Sequence, residues 1–314
     1  MNRKNILQTL HHHLQHAIEL EHATLPPYLC AYWSIHGDSI HAREAKEIFL
    51  SIIREEMLHL AMACNILNAT GGLPSFIHEN FTPSYPCFLP GHSHTVNPFI
   101  VHLDKCCPAS LEIFLKIEMP ENLVHEKEPE KRWATIGQFY EEIISLISHE
   151  ELTEKDFQHG KQTDNKANPA HGILYTVNSR ADALHALNEI IDQGEGLKKW
   201  SHYDAQNELT HYWKFKKVFY KMISYEWKYE EEVFPVAVDA NENNFSDGAK
   251  KINQQFTEIY FSLLNSLHNS FNCEQPNLND AIGIMFKLKP LAQQLMQIPL
   301  VGVKGNCCPT FLIK

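Results

Sequence analysis

Residues 54–60 read Arg54-Glu55-Glu56-Met57-Leu58-His59-Leu60, and residues 208–215 read Glu208-Leu209-Thr210-His211-Tyr212-Trp213-Lys214-Phe215. Each stretch holds a Glu-x-x-His unit, Glu56–His59 in one and Glu208–His211 in the other. Residues three apart share a helix face, so each unit offers a carboxylate and an imidazole to one point in space. Two such units, with a further Glu from each of two other helices, make the ligand set of a dinuclear iron or manganese site inside a four-helix bundle. One unit alone arises often by chance; two on buried stripes are harder to dismiss.

The stripes can be read residue by residue, because a helix turns about 100° per residue. In the first helical segment Leu14, Ala17, Ile18, Leu25, Tyr28 and Tyr32 line up, with Glu21 among them and Glu19 pointing away. A carboxylate in an apolar stripe is costly unless paired or metal-bound, which selects Glu21 as a ligand candidate. In the second segment Phe49, Ile52, Glu56, His59 and Ala63 share an arc, and Glu55 is displaced from it. In the segment 204–228, Glu208 and His211 share a stripe with Phe215, Val218, Phe219 and Met222. The competing account of each unit is a buried Glu–His ion pair without metal.

Two segments compete to supply the remaining carboxylate. In 133–150 the stripe is Ile136, Phe139, Tyr140, Ile143, Leu146 and Ile147, with Gln138, Glu141 and Glu142 off it. In 179–195 it is Leu184, Leu187 and Ile191, and Glu195 continues it between Gly194 and Gly196. Glu195 is therefore chosen over Glu142. The expected metal ligands are Glu21, Glu56, His59, Glu195, Glu208 and His211. Pro26 and Pro27 follow Glu21 on the same helix, where they should kink it and free carbonyls near the site.

Helical periodicity extends along the chain, predicting helices at about 5–36, 40–70, 108–118, 133–150, 179–195, 204–228, 246–271 and 277–297. Residues 71–107, with Gly71, Gly72, Pro74, Pro83, Pro86, Pro90 and Pro98, form the longest stretch without helix and read as a crossover. The fold class expected is all-α: a four-helix bundle with a long crossover and additional C-terminal helices. The bundle is expected over 1–235, crossover region 71–178 included, with a C-terminal helical extension over 236–314 packed on it.

Several stretches resemble the ferritin-like domain of the iminophenylpyruvate dimer synthase family. The first is Ile18-Glu19-Leu20-Glu21-His22-Ala23-Thr24-Leu25-Pro26-Pro27-Tyr28-Leu29, followed by residues 54–60. Further ones are Lys116-Ile117-Glu118-Met119-Pro120-Glu121, Thr135-Ile136-Gly137-Gln138-Phe139-Tyr140, Gln193-Gly194-Glu195-Gly196 and residues 208–215. The tail Gly305-Asn306-Cys307-Cys308-Pro309-Thr310-Phe311 is a weaker match. The resemblance implies a ferritin-like fold and oxidative coupling of indole- or phenyl-pyruvate imines in bisindole pigment pathways. Members of that family are often much longer than this chain, so the pathway is not carried over. The resemblance also implies Glu where Gln138 stands, so that position is either no ligand or altered here.

Composition excludes some classes. A formal charge of −11 argues against a general nucleic-acid binder. No stretch approaches 18 uninterrupted apolar residues and no secretion signal is visible, so no membrane partner and a cytoplasmic location are expected. The eight cysteines (Cys30, Cys64, Cys87, Cys106, Cys107, Cys273, Cys307 and Cys308) contain no C-x-x-C pair, and reduced thiols are the expectation. Carboxylate and imidazole ligands suit iron or manganese and argue against an iron–sulfur or structural zinc site.

The expected function is thus a non-haem diiron oxidase, with two Fe ions (or Mn) as cofactor and O2 as co-substrate. It would act on a small amino-acid-derived, imine-like organic substrate, with Tyr28, Tyr32 and Tyr212 near the cavity. A homo-oligomer is compatible with the sequence. The alternatives are a ferroxidase or iron-binding protein without organic substrate, and a metal-free helical scaffold.

Overall fold

The computed structural model describes residues 2–79, 81–90, 99–120, 123, 133, 135–164, 173–194, 202–273 and 278–312. Among them the regular elements are helical, with isolated β-bridges only. Two long helices dominate, α1 (Arg3–Ser34) and α2 (Ile40–Ala69). Each begins at a polar cap. The Asn2 side chain accepts from Asn5 N at 3.0 Å and the Ser39 hydroxyl from Ala42 N at 3.1 Å. Shorter helices pack beside them: α3 (Pro108–Ile117), α4 (Ile136–Ile147), α5 (Arg180–Gly194) and α6 (His211–Ile223). Helices α4, α5 and α6 touch the long pair, and α3 packs on α6.

Helix α1 runs through Pro26 and Pro27 without interruption. Pro27 has no N–H to offer the Ala23 carbonyl. That carbonyl instead accepts from the Tyr85 hydroxyl at 2.6 Å, so the crossover segment satisfies what the proline leaves open.

An aromatic cluster locks four of the helices together. Tyr28 of α1, Phe49 of α2, Phe114 of α3 and Phe215 of α6 are fully buried. The Phe215 ring lies 5.0 Å from Tyr28, 5.4 Å from Phe49 and 5.3 Å from Phe114. This cluster positions what sits one helical turn away, Glu118 four residues after Phe114 and His211 four residues before Phe215.

The C-terminal part forms α7 (Asp247–Asn272), α8 (Leu278–Met285) and α9 (Leu288–Met296). It packs on the long pair and the crossover: Phe311 stacks on Trp33 of α1 with ring planes 5° apart, and Phe271 stacks on Phe76 beyond α2.

Two boundaries differ from those the periodicity predicts. The helix expected over 277–297 is divided, because Pro290 has no N–H for the Phe286 carbonyl and its ring crowds it; the break falls at 286–287. The helix expected from 204 starts only at His211. Residues 204–208 instead form a turn, in which Asp204 N donates to the Glu208 carbonyl at 2.8 Å and Asn207 takes the left-handed φ of 63°. The Asp204 carboxylate accepts from Glu208 N at 2.8 Å, a local bond that competes with the helix.

Candidate metal centre

Five side chains from four helical elements meet in the interior. Glu21 comes from the middle of α1, Glu56 and His59 from α2, Glu118 from the C-cap of α3, and His211 from the first turn of α6. All five are buried, His211 completely. They form two triads, Glu21–Glu56–His59 and Glu56–Glu118–His211, and within each triad one ligand-capable atom per residue lies within 4.8 Å of the others. Glu56 belongs to both.

Each imidazole is held from its outer side. His59 Nε2 donates to Gln193 Oε1 of α5 at 2.8 Å, and its Nδ1 lies 3.7 Å from Glu21 Oε2. His211 Nε2 donates to Glu55 Oε2 at 2.8 Å, and Lys214 Nζ donates to both Glu55 oxygens at 2.8 and 2.7 Å. Both rings thereby turn Nδ1 toward the carboxylates, the arrangement in which an outer partner fixes the orientation of a ligating imidazole. The two rings stack with centroids 5.6 Å apart. The carboxylates are held in a similar way. Tyr140 donates to Glu21, Tyr28 to Glu118 at 2.5 Å, and the Thr24 hydroxyl to Glu56 at 3.1 Å.

The electrostatics follow from crowding three carboxyls in a dry space. Burial, then the charges of Glu21 and Glu118, push the Glu56 carboxyl well above its ordinary pKa. Burial alone would lower His211, but Glu118, Glu55 and Glu56 outweigh it and raise the imidazole well above its usual value. Burial would raise Glu21 too, yet His59, Glu56 and Tyr140 together bring it below the carboxylate range.

The fit to a cation rests on one atom in particular. His211 Nδ1 is buried and makes no hydrogen bond, although it lies 2.9 Å from Glu56 Oε1 and 3.4 Å from Glu118 Oε2. A buried polar atom near two carboxylates but aligned with neither suits a shared cation better than a direct bond. The donor set contains only carboxylate oxygen and imidazole nitrogen, the chemistry of iron and manganese sites.

A small cavity of about 30 Å³ opens on the cluster. Besides the five clustered groups, Thr24 and Tyr140, its wall is aliphatic: Leu20, Ile117, Ile136, Ile190 and Ile191, with Gly137 and Gly194 leaving room.

Of the ligands expected from sequence, Glu21, Glu56, His59 and His211 are brought together. Glu208 is not. It lies in the turn before α6 with its side chain 63% exposed, 3.8 Å from Lys214, because the chain there is not helical and the three-residue spacing puts it on no common face with His211. Glu195 lies outside the described residues. Glu142, the competitor, accepts from Trp133 Nε1 at 2.7 Å and sits 3.3 Å from His13, away from the cluster. Of the expected cavity tyrosines only Tyr28 reaches the cluster; Tyr32 accepts from Lys289 and Tyr212 lies beside Lys216.

Sequence reasoning missed Glu118, Glu55, Gln193 and Tyr140. Glu118 could have been found, since Leu111, Phe114 and Glu118 follow the i, i+3, i+7 pattern of a buried stripe.

A family model described as ferritin-like matches residues 14–220 of the chain. No curated protein matches it. The crystal structure of a ferritin like protein from Caulobacter vibrioides superimposes with a TM-score of 0.67 at 18% identity, over 92% of this chain and 94% of that one. At that identity the likeness speaks for the fold alone.

Proposed function

The chain belongs to the ferritin-like family, and on that premise we propose that it is a dinuclear iron oxidase, with manganese as the alternative metal. Glu21, Glu56, His59, Glu118 and His211 hold the ions. Glu195, one residue beyond the cavity-lining Gly194, is the candidate for a further carboxylate. Bound iron supplies the redox chemistry with O2, and the substrate is a small organic molecule, of the amino-acid-derived imine class that the family resemblance suggests.

The observation that carries this reading is the pair of buried triads sharing Glu56, on a cavity whose remaining wall is partly aliphatic. Each of the chain's own residues has a definable task. Gln193 and Glu55 hold the imidazoles so that Nδ1 faces inward, Tyr140 and Tyr28 hold the carboxylates of Glu21 and Glu118, and His211 with Lys214 holds the Glu55 carboxyl below its usual range against burial. The aliphatic wall excludes water and favours the apolar portion of a substrate. Among the described residues no helix is long and apolar enough to cross a membrane.

The test is metal analysis of protein purified without added metal, followed by oxygen uptake of the iron-loaded protein with candidate imines. About two ions per chain, with substrate-dependent uptake, is the expected result. Many ions per chain with no organic turnover would instead mean iron handling, and fewer than one after iron loading would refute the centre.

A further inference from the structure

Away from the centre, two thiols meet in the core. Cys30 Sγ of α1 and Cys308 Sγ of the C-terminal tail are 3.3 Å apart, across 278 residues of sequence. Cys30 is fully buried and Cys308 is 1% exposed. All eight cysteines are free thiols, and among the described residues this is the one sulfur–sulfur contact. The other cysteines have different neighbours. Cys107 Sγ, for example, points to the Asp104 carboxylate at 3.3 Å, and Cys273 is exposed.

The tail is held on both sides of Cys308. On one side Asn306 pairs with Val236 and with Pro299. On the other, Asn253 exchanges two hydrogen bonds with Thr310 at 3.0 and 3.2 Å, and Phe311 packs into the rings of Trp33, Phe256 and Tyr260. Segments fixed this firmly keep the two sulfurs facing each other. A disulfide needs about 2.05 Å between them, so closure asks for roughly 1.3 Å of approach, within reach of small side-chain rotations.

We propose that Cys30 and Cys308 are an oxidative modification site, forming a disulfide that pins the C-terminal tail to α1. The oxidant is a small peroxide able to enter a packed interior. One thiol attacks a peroxide oxygen, breaking the O–O bond to give a sulfenic acid and one water. The second thiol then displaces the sulfenic oxygen as the second water while the S–S bond forms. Two thiols lose two protons and two electrons, and hydrogen peroxide is reduced to two waters. The alternative is a pair of small apolar side chains in ordinary core contact, as free cysteines often are. The cross-link is independent of the metal reading, although it fastens the helix that carries Glu21 and Tyr28.

The test uses the full-length protein, prepared reduced, incubated with hydrogen peroxide, denatured, alkylated and digested without reductant. Mass spectrometry is expected to find the Cys30 and Cys308 peptides joined, two hydrogens lighter than their sum and separated again by dithiothreitol. Oxidation should raise Tm in the wild-type protein and leave a Cys308→Ser variant unshifted. Mapping on the wild type decides the matter even if that variant folds poorly. Recovery of both cysteines alkylated, or of either joined to a different partner, would overturn the proposal. A correct cross-link that leaves Tm unchanged would overturn its pinning role.

Discussion

Replacing Glu118 by Gln isolates the carboxylate that sequence stripes passed over. The change keeps the shape of the side chain and an oxygen that can accept from Tyr28, so the fold around the aromatic cluster should survive. What it removes is one negative charge whose oxygen lies within 4.8 Å of Glu56 and His211 ligand atoms. Two unit charges 4.8 Å apart at an effective dielectric of about 20 interact by about 3.5 kcal/mol. Part of this is returned, since Glu118 also repels Glu56 and raises its pKa. Taking half as the net loss leaves about 1.7 kcal/mol, or about a 20-fold weakening at one of two metal positions. Anaerobic titration with Fe(II) or Co(II) should show two sites in the wild type, and in the variant one unchanged and one weakened. Glu208→Gln should titrate like the wild type, its carboxylate being largely exposed. Two undisturbed sites in Glu118→Gln, with one lost in Glu208→Gln, would refute the assignment.

Three further outcomes are expected. Glu55→Gln should weaken metal binding at the His211 position by about 10–100-fold, the usual effect of losing an imidazole's outer partner, and equal affinity in the same titration would contradict that role. Phe215→Ala should destabilise the protein by about 3–5 kcal/mol in denaturant unfolding, because the ring is fully buried against Tyr28, Phe49 and Phe114; a loss under 1 kcal/mol would mean that the cluster does not hold α6. Asp156 accepts from Arg3 and from Thr153, and although burial would raise its carboxyl, these contacts hold it below the usual carboxylate range. A folded pKa below the unfolded one gives stability that is present above the unfolded value, about 3.9, and lost as pH falls through the folded one. Asp156→Asn should therefore lower Tm at neutral pH, and the gap to wild type should close under acid; a gap independent of pH would exclude the linkage.

Legibility in the sequence followed helix regularity. Glu21, Glu56 and His59 could be read because α1 and α2 are long, so a polar residue inside an apolar stripe stands out over many turns. The same logic failed at Glu208, where the pattern was extended through a segment that Asn207 and Asp204 turn aside. Glu208, the partner expected from the spacing, lies in the exposed turn before α6, whereas His211 itself lies in the cluster. Its real neighbours, Glu55, Glu56 and Glu118, come from other elements, which no local spacing can reveal. Glu118 is harder to see because α3 has ten residues and the acid caps it, so its stripe of Leu111, Phe114 and Glu118 is short. Glu55 is displaced from the α2 stripe, so the stripe gives it no role. The residue that covers it, Lys214, belongs to a helix more than 150 residues later.

Those outer partners make the two halves of the cluster unequal. Residue types near the shared Glu56 are alike: a carboxylate bonded by a tyrosine and an imidazole with inward Nδ1 on either side. Behind the imidazoles the likeness ends. His59 leans on the neutral amide of Gln193, whereas His211 leans on the carboxylate of Glu55, kept charged by Lys214. A carboxylate partner makes an imidazole the stronger donor, which an amide does to a lesser degree. The asymmetry has a simple origin in the fold. Among the described residues α5 meets His59 with Gln193, while α2 itself supplies the acid next to Glu56, turned outward to meet α6. Cations seated in this cluster would therefore meet unequal donor strength among the described residues, with the His211 side built across α2, α3 and α6.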